Sequence, residues 1–167
     1  MKIKMTLVLA SLAALSSLSA SGESPFDQFA GSWRLVSAEG HSTDGSINYD
    51  WGQNPLGRVM FDTGGRLSLH LVDPDRPNFE SGDFLRPTPE ELSKAFNGYF
   101  GYFGSYTVDL DKQTVTFHID GAAYPNYIGS DQLRFYEITG DRLVLRTPPE
   151  RAGGEDIVYY VTWEREK

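Results

Sequence analysis

The stretch Arg58-Val59-Met60-Phe61-Asp62-Thr63-Gly64-Gly65-Arg66-Leu67-Ser68-Leu69-His70-Leu71 holds two runs of alternating apolar and polar residues joined by four turn-forming ones. Alternation with period two marks a strand with one buried face. Asp-Thr-Gly-Gly is too short for a parallel crossover, which needs a dozen or more residues, so the two strands are expected to pair antiparallel.

The same pattern extends in both directions. Upstream lies Trp33 to Ser37. Downstream lie Gly104 to Val108, Thr114 to Ile119, Gln132 to Tyr136, Arg142 to Arg146 and Ile157 to Trp163. Asp109 to Lys112 and Thr139-Gly140-Asp141 are again short turns. A single helix interrupts the series. Thr88-Pro89-Glu90-Glu91 supplies an N-cap, a proline at the first helical position and a glutamate three residues past the cap. Leu92, Ala95, Phe96 and Tyr99 follow at helical spacing and predict a face packed on an apolar surface.

About eight consecutive antiparallel strands need their edges closed, which an up-and-down barrel achieves; two packed sheets would show the same alternation. One parity collects Trp33, Phe61, Leu69, Tyr106, Val108, Phe117, Leu133, Phe135, Tyr159 and Trp163. The other collects Arg34, Ser68, His70, Thr107, His118 and Arg134. A soluble barrel turns the first set inward, around an interior wide enough for side chains or one small ligand.

Composition bounds the rest. The chain has 167 residues with 3 Trp, 9 Tyr, 10 Phe and no Cys, which suits one domain and excludes disulfides and thiol chemistry. The net charge of −8 argues against nucleic acid and anionic membranes as partners. Lys2 and Lys4, the apolar run Met5 to Leu18 and the small residues Ser19 to Gly22 have the order of a secretory leader, too short for a comfortable membrane span. Residues 1–22 are therefore expected to be a signal peptide and 23–167 the barrel domain. Losing Lys2 and Lys4 takes the charge from −8 to −10. The expected location is exported, periplasmic or secreted, with no membrane contact after cleavage.

Gly31-Ser32-Trp33 at the first strand resembles the G-x-W signature of lipocalins. Residues 28–165 are similar to the bacterial and fungal lipocalin-like domain family. The similarity lies in Gly31 to Ser37, Asp75-Arg76-Pro77 with Ser81-Gly82-Asp83, Thr88 to Leu92 and Tyr102 to Asp109. It continues through Thr114 to His118, Pro125 to Tyr136, Asp141 to Pro149 and Trp163-Glu164-Arg165. The resemblance implies an eight-stranded lipocalin-like barrel whose Trp33 plugs the narrow end beneath a late-strand arginine, for which Arg165 is the candidate. Phe117 stands where relatives often carry a second histidine beside His118, which counts against a histidine-pair mechanism. The family has no single activity, so the resemblance bears on fold more than on function.

Two functions fit. In the first, the lumen binds a small apolar or amphipathic molecule. Trp33, Phe61, Leu69, Tyr106, Phe117, Phe135 and Tyr159 form the wall, with Trp51 and Phe84 near the mouth. The long connections Glu39–Gly57 and Val72–Pro87 fall at the same end of such a barrel, so their aromatics Tyr49, Trp51, Phe79 and Phe84 can act as a lid or as loop anchors. In the second, an isomerase- or cyclase-type enzyme uses His118 as acid/base, oriented by Asp120 two residues on, with Asn126 and Arg134 polarising the substrate. Arg134 otherwise pairs with Glu137, Asp120 or Asp131. A filled lumen would leave only a structural domain. No metal is expected, since His41, His70 and His118 lack ligand spacing. No cofactor is expected either, because no phosphate-cradling glycine loop is present.

Overall fold

Each run of alternating residues forms a strand, and the strands close on one another. The computed structural model describes residues 24–167; the leader expected at 1–22 lies outside them. The strands are β1 (Gly31–Ser42), β2 (Ile47–Asn48), β3 (Leu56–Phe61), β4 (Arg66–Val72), β5 (Tyr99–Asp109), β6 (Thr114–Ala122), β7 (Asp131–Thr139), β8 (Arg142–Arg146), β9 (Glu150–Ala152) and β10 (Glu155–Arg165). Neighbours pair antiparallel in the order β2-β1-β3-β4-β5-β6-β7-β8-β10-β9. A further ladder from Trp33↔Arg165 to Ser42↔Ile157 joins β1 to β10. The result is a closed eight-stranded up-and-down barrel, with β2 and β9 as short additions and, among the described residues, one α-helix, α1 (Pro89–Asn97). Closure leaves the eight barrel strands no unpaired edge, which a soluble antiparallel sheet must otherwise protect.

Helix α1 starts as its sequence dictates. The Thr88 side chain accepts from the Glu91 N–H, and the Glu91 carboxylate accepts from the Thr88 N–H at 2.7 Å. That bond and a second from the Glu80 N–H hold the Glu91 carboxyl below its ordinary range. The apolar face departs from expectation. Leu92 and Phe96 are about half exposed, and Tyr99 belongs to β5 instead. Strand β5 therefore starts five residues before Gly104, with the Gly-rich segment inside it.

The short turns 62–65, 110–113 and 140–141 gather at one end and close it. There Phe29, Trp33, Phe61, Tyr106, Phe117 and Trp163 are almost wholly buried. The segment before β1 crosses this end: Phe29 packs against Tyr136, Phe61 and Tyr106 at 4.9, 5.4 and 5.9 Å between ring centres. Trp33 Nε1 donates to the Phe29 carbonyl at 2.7 Å. Arg165 lies 4.0 Å over the Trp33 ring and donates to the Gln28 carbonyl at 2.8 Å and to the Ala30 carbonyl. A cation over an indole face is attracted by the ring quadrupole, so Arg165 fastens tryptophan and chain entry together.

Parity holds in the barrel strands except β1, β6 and β7; in β6 the unpaired Asp120 moves the inward face from Ile119 to Ala122. A bulge between Leu35 and Ser37 shifts β1, so Trp33 and Leu35 face inward and Ala38, Gly40 and Ser42 take over beyond it. In β7 the expected face is reversed: Arg134 is buried and Leu133 is exposed. The cause is register. Val115 pairs with Arg134, and residues directly opposite share a face, so the inward Val115 carries Arg134 inward. Phe135 consequently lies on the outer wall, its ring 4.2 Å beneath the Arg146 guanidinium.

Candidate functional site

The end opposite the plug is open. The connections 43–55, 73–98, 123–130 and 147–154 rise there, and below them the barrel holds a cavity of about 590 Å³. That volume lies within the range of pockets that enclose one small molecule. Its inner wall is apolar and aromatic: Leu69 and Leu71 from β4, Phe100 and Tyr102 from β5, Leu145 from β8 and Val161 from β10. Trp51 reaches over the cavity from the first connection, 5.9 Å from the Phe100 ring and 6.1 Å from the Tyr159 ring. The Tyr159 hydroxyl donates to Asp50 at 3.0 Å and anchors that connection to β10.

Polar groups occupy one side. Gln132 and Arg134 enter from β7, Glu150 from β9, and Tyr127 from a 3-10 turn (Pro125–Tyr127). Arg134 Nη1 lies 3.2 Å from Glu150 Oε1 and donates to the Leu133 carbonyl at 2.7 Å. The Tyr127 hydroxyl donates to Glu150 Oε2 at 3.2 Å. Burial raises the phenol pKa of Tyr102, Tyr127 and Tyr159, with nearby carboxylates adding to the effect, so all three are neutral donors at neutral pH.

Of the wall residues expected from the sequence, Leu69, Tyr159 and Trp51 line this cavity. Trp33, Phe61, Tyr106 and Phe117 fill the closed half of the lumen instead. Phe135 is on the outer wall. Phe84 is 85% exposed and borders a separate outer groove with Phe79, Arg76 and Ala95, so it does not cover the lumen. Arg134, named for the enzyme reading, is in the cavity, and the other members of that reading are not. His118 follows Phe117 and precedes Ile119, both inward, and so points out. Its Nδ1 lies 2.7 Å from Asp131 Oδ1 and its Nε2 3.1 Å from Thr107 Oγ1. Asp131 thus takes the place expected for Asp120, which the bulge in β6 leaves unpaired. Asn126 is exposed and donates to the Tyr124 hydroxyl at 3.0 Å. The outer wall also holds His70, between Ser68 Oγ at 3.0 Å and the Tyr99 hydroxyl at 2.7 Å. Among the described residues no three His, Asp or Glu side chains gather as metal ligands.

Phe100, Tyr102, Tyr127, Gln132 and Glu150 are cavity residues that sequence reasoning missed. For two of them the signal was present: the parity of Tyr106 and Val108 runs back through Gly104 to Tyr102 and Phe100. Tyr127 and Glu150 lie in connections, where no periodicity applies.

Comparison with known proteins agrees with this architecture. A family model described as a lipocalin-like domain matches residues 30–166. The 4'-hydroxy-3'-methoxypropiophenone carrier protein of Aspergillus oryzae (strain ATCC 42149 / RIB 40) is 32% identical over 106 residues, 59% of this chain and 96% of that protein. No solved structure matches the chain.

Proposed function

The chain belongs to the lipocalin-like domain family, and on that premise we propose that it is an exported carrier that takes one small, largely apolar, aromatic molecule into its open-ended cavity. One observation carries the reading: a cavity of about 590 Å³, walled by aliphatic and aromatic side chains and open at the mouth, above a barrel half filled by buried aromatic and aliphatic side chains. Burial of apolar surface supplies the affinity, at about 25 cal/mol per Å² removed from water. Aromatic walls add edge and face contacts that favour a ring. A relative that carries a phenolic aryl ketone supports an aromatic cargo. Export rests on the charged, apolar and small-residue order of residues 1–22.

His118 faces away from the cavity, so it cannot exchange a proton with a molecule bound there, and binding needs no such step. Replacing His118 with Ala should leave the affinity of lumen ligands unchanged within about twofold in a fluorescence titration. The reading is tested by native mass spectrometry of the mature protein purified from its own host. The expected result is one co-purifying small molecule per chain. Titration with apolar aromatic probes should quench tryptophan emission, and most of that quenching should vanish with Trp51→Phe, since Trp33 and Trp163 lie in the packed half. Empty protein, together with emission indifferent to every probe, would overturn the reading.

A further inference from the structure

An ion pair with a buried guanidinium stands among the aliphatic and aromatic side chains of the cavity's inner wall. Arg134 is 8% exposed, and hydrophobic side chains of the same length would fill its position on β7 without desolvation cost. Glu150 neutralises it at 3.2 Å, and both carboxylate oxygens are occupied, one by Arg134 and the other by the Tyr127 hydroxyl. The guanidinium is not equally satisfied. Nη1 serves Glu150 and the Leu133 carbonyl, whereas Nη2 reaches Gln132 Oε1 only at 3.5 Å, the outer limit of a hydrogen bond. Gln132 is itself held by its amide, which donates to Ser130 Oγ at 2.7 Å. Arg134 therefore keeps N–H donor capacity on the cavity side, while its charge is already balanced.

We propose that Arg134, positioned by Glu150 and Gln132, is the polar anchor of the cavity and selects a neutral hydrogen-bond acceptor, an aromatic ketone or ester carbonyl, over a carboxylate. A carbonyl oxygen accepts from the free guanidinium N–H and adds no charge. A carboxylate adds a second anion beside Glu150 in a cavity that already holds another, Asp50, at its rim. The other cavity arginine, Arg151, is 71% exposed, so water screens its charge, and its nearest carboxylate oxygen, Asp156 Oδ1, lies at 3.5 Å. The inference rests on the carrier reading and adds which chemical class the carrier prefers.

The test compares 2-acetylnaphthalene with its hydrocarbon isostere 2-isopropenylnaphthalene and with 2-naphthoate by isothermal titration. It uses the mature protein and the double variant Arg134→Leu/Glu150→Leu. Both partners are removed together because a lone buried charge would cost stability, whereas an apolar pair of similar volume need not. In the wild type, 2-naphthoate should bind at least tenfold more weakly than the ketone. The ratio of ketone to hydrocarbon affinity should fall about tenfold or more in the double variant, the usual scale for a hydrogen bond to a charged group. The carbonyl stretch of the bound ketone should lie below its value in alkane solvent in the wild type and return towards it in the variant. Should the double variant fail to fold, the wild-type infrared reading decides alone. An unchanged affinity ratio with an alkane-like carbonyl stretch, or naphthoate binding tighter than the ketone, overturns this inference and leaves the carrier reading standing. If none of the three probes binds, both fall.

Discussion

Arg134 and Glu150 balance one another at 3.2 Å, with side chains 9% and 28% exposed. Arg134→Met leaves the Glu150 carboxylate half-buried with only the Tyr127 hydroxyl, and should lower unfolding free energy by about 2 kcal/mol in urea titration. The paired Leu replacement should cost less than the single one, because it removes both charges. The reverse order would mean that the pair itself stabilises the barrel. The sequence named Arg134 but placed it on the outer wall, since a hydrophobicity pattern assigns charge to solvent. Its inward turn is a matter of register with β6, which no single strand's pattern contains. Glu150 was invisible for a related reason: it sits on a three-residue strand with no periodicity to read.

At the scale of elements, the β5–β6 pair and helix α1 make separate predictions. Strand β6 inserts Asp120 where β5 passes directly from Phe103 to Gly104. There the backbones approach so closely that a Cβ on Gly104 would stand 2.0 Å from the His118 carbonyl oxygen. Gly104→Ala must push β6 away and should destabilise the barrel by about 3 kcal/mol, read as a lower thermal midpoint. A midpoint equal to that of the parent would mean that the strands separate freely here. In helix α1, Thr88→Ala removes the cap and should raise amide exchange in 89–97 by a factor set by about 1 kcal/mol, with the barrel strands unaffected. The strands and the helix start were legible because alternation and caps are local. Their ends were not: Tyr99 continues the helical spacing of Leu92 and Phe96 yet begins a strand. The pull of the β4 ladder, which pairs Tyr99 with Val72, outweighs that local preference.

The whole molecule divides along its axis into a packed half and an open half, and its buried phenols lie in both. Tyr102, Tyr106 and Tyr159 have their pKa values raised above the ordinary 10.0, first by burial. The folded state therefore holds protons that the unfolded chain releases, so stability is intact below that pH and falls as pH rises through and beyond it. Urea midpoints between about pH 8 and 11 should be level and then drop, with phenolate absorbance of these residues appearing together with unfolding. Phenolate formation well before unfolding would contradict the burial. The closed barrel and its plug were legible from the alternating strands and from Trp33. The division of the lumen was not, because apolar residues that fill a core and those that line a cavity carry the same pattern. Which of the two an aromatic does depends on how far along the strand it sits from Phe29 and Trp163. The claim that the open half takes a ligand is tested most directly at Ala152, a small residue on the cavity rim. Calorimetric titration of 2-acetylnaphthalene should give saturable one-to-one binding to the parent protein. It should bind at least tenfold more weakly to Ala152→Trp, whose ring plugs the mouth, at an unchanged thermal midpoint. Binding that is absent from the parent, or indifferent to the plug, would contradict the account.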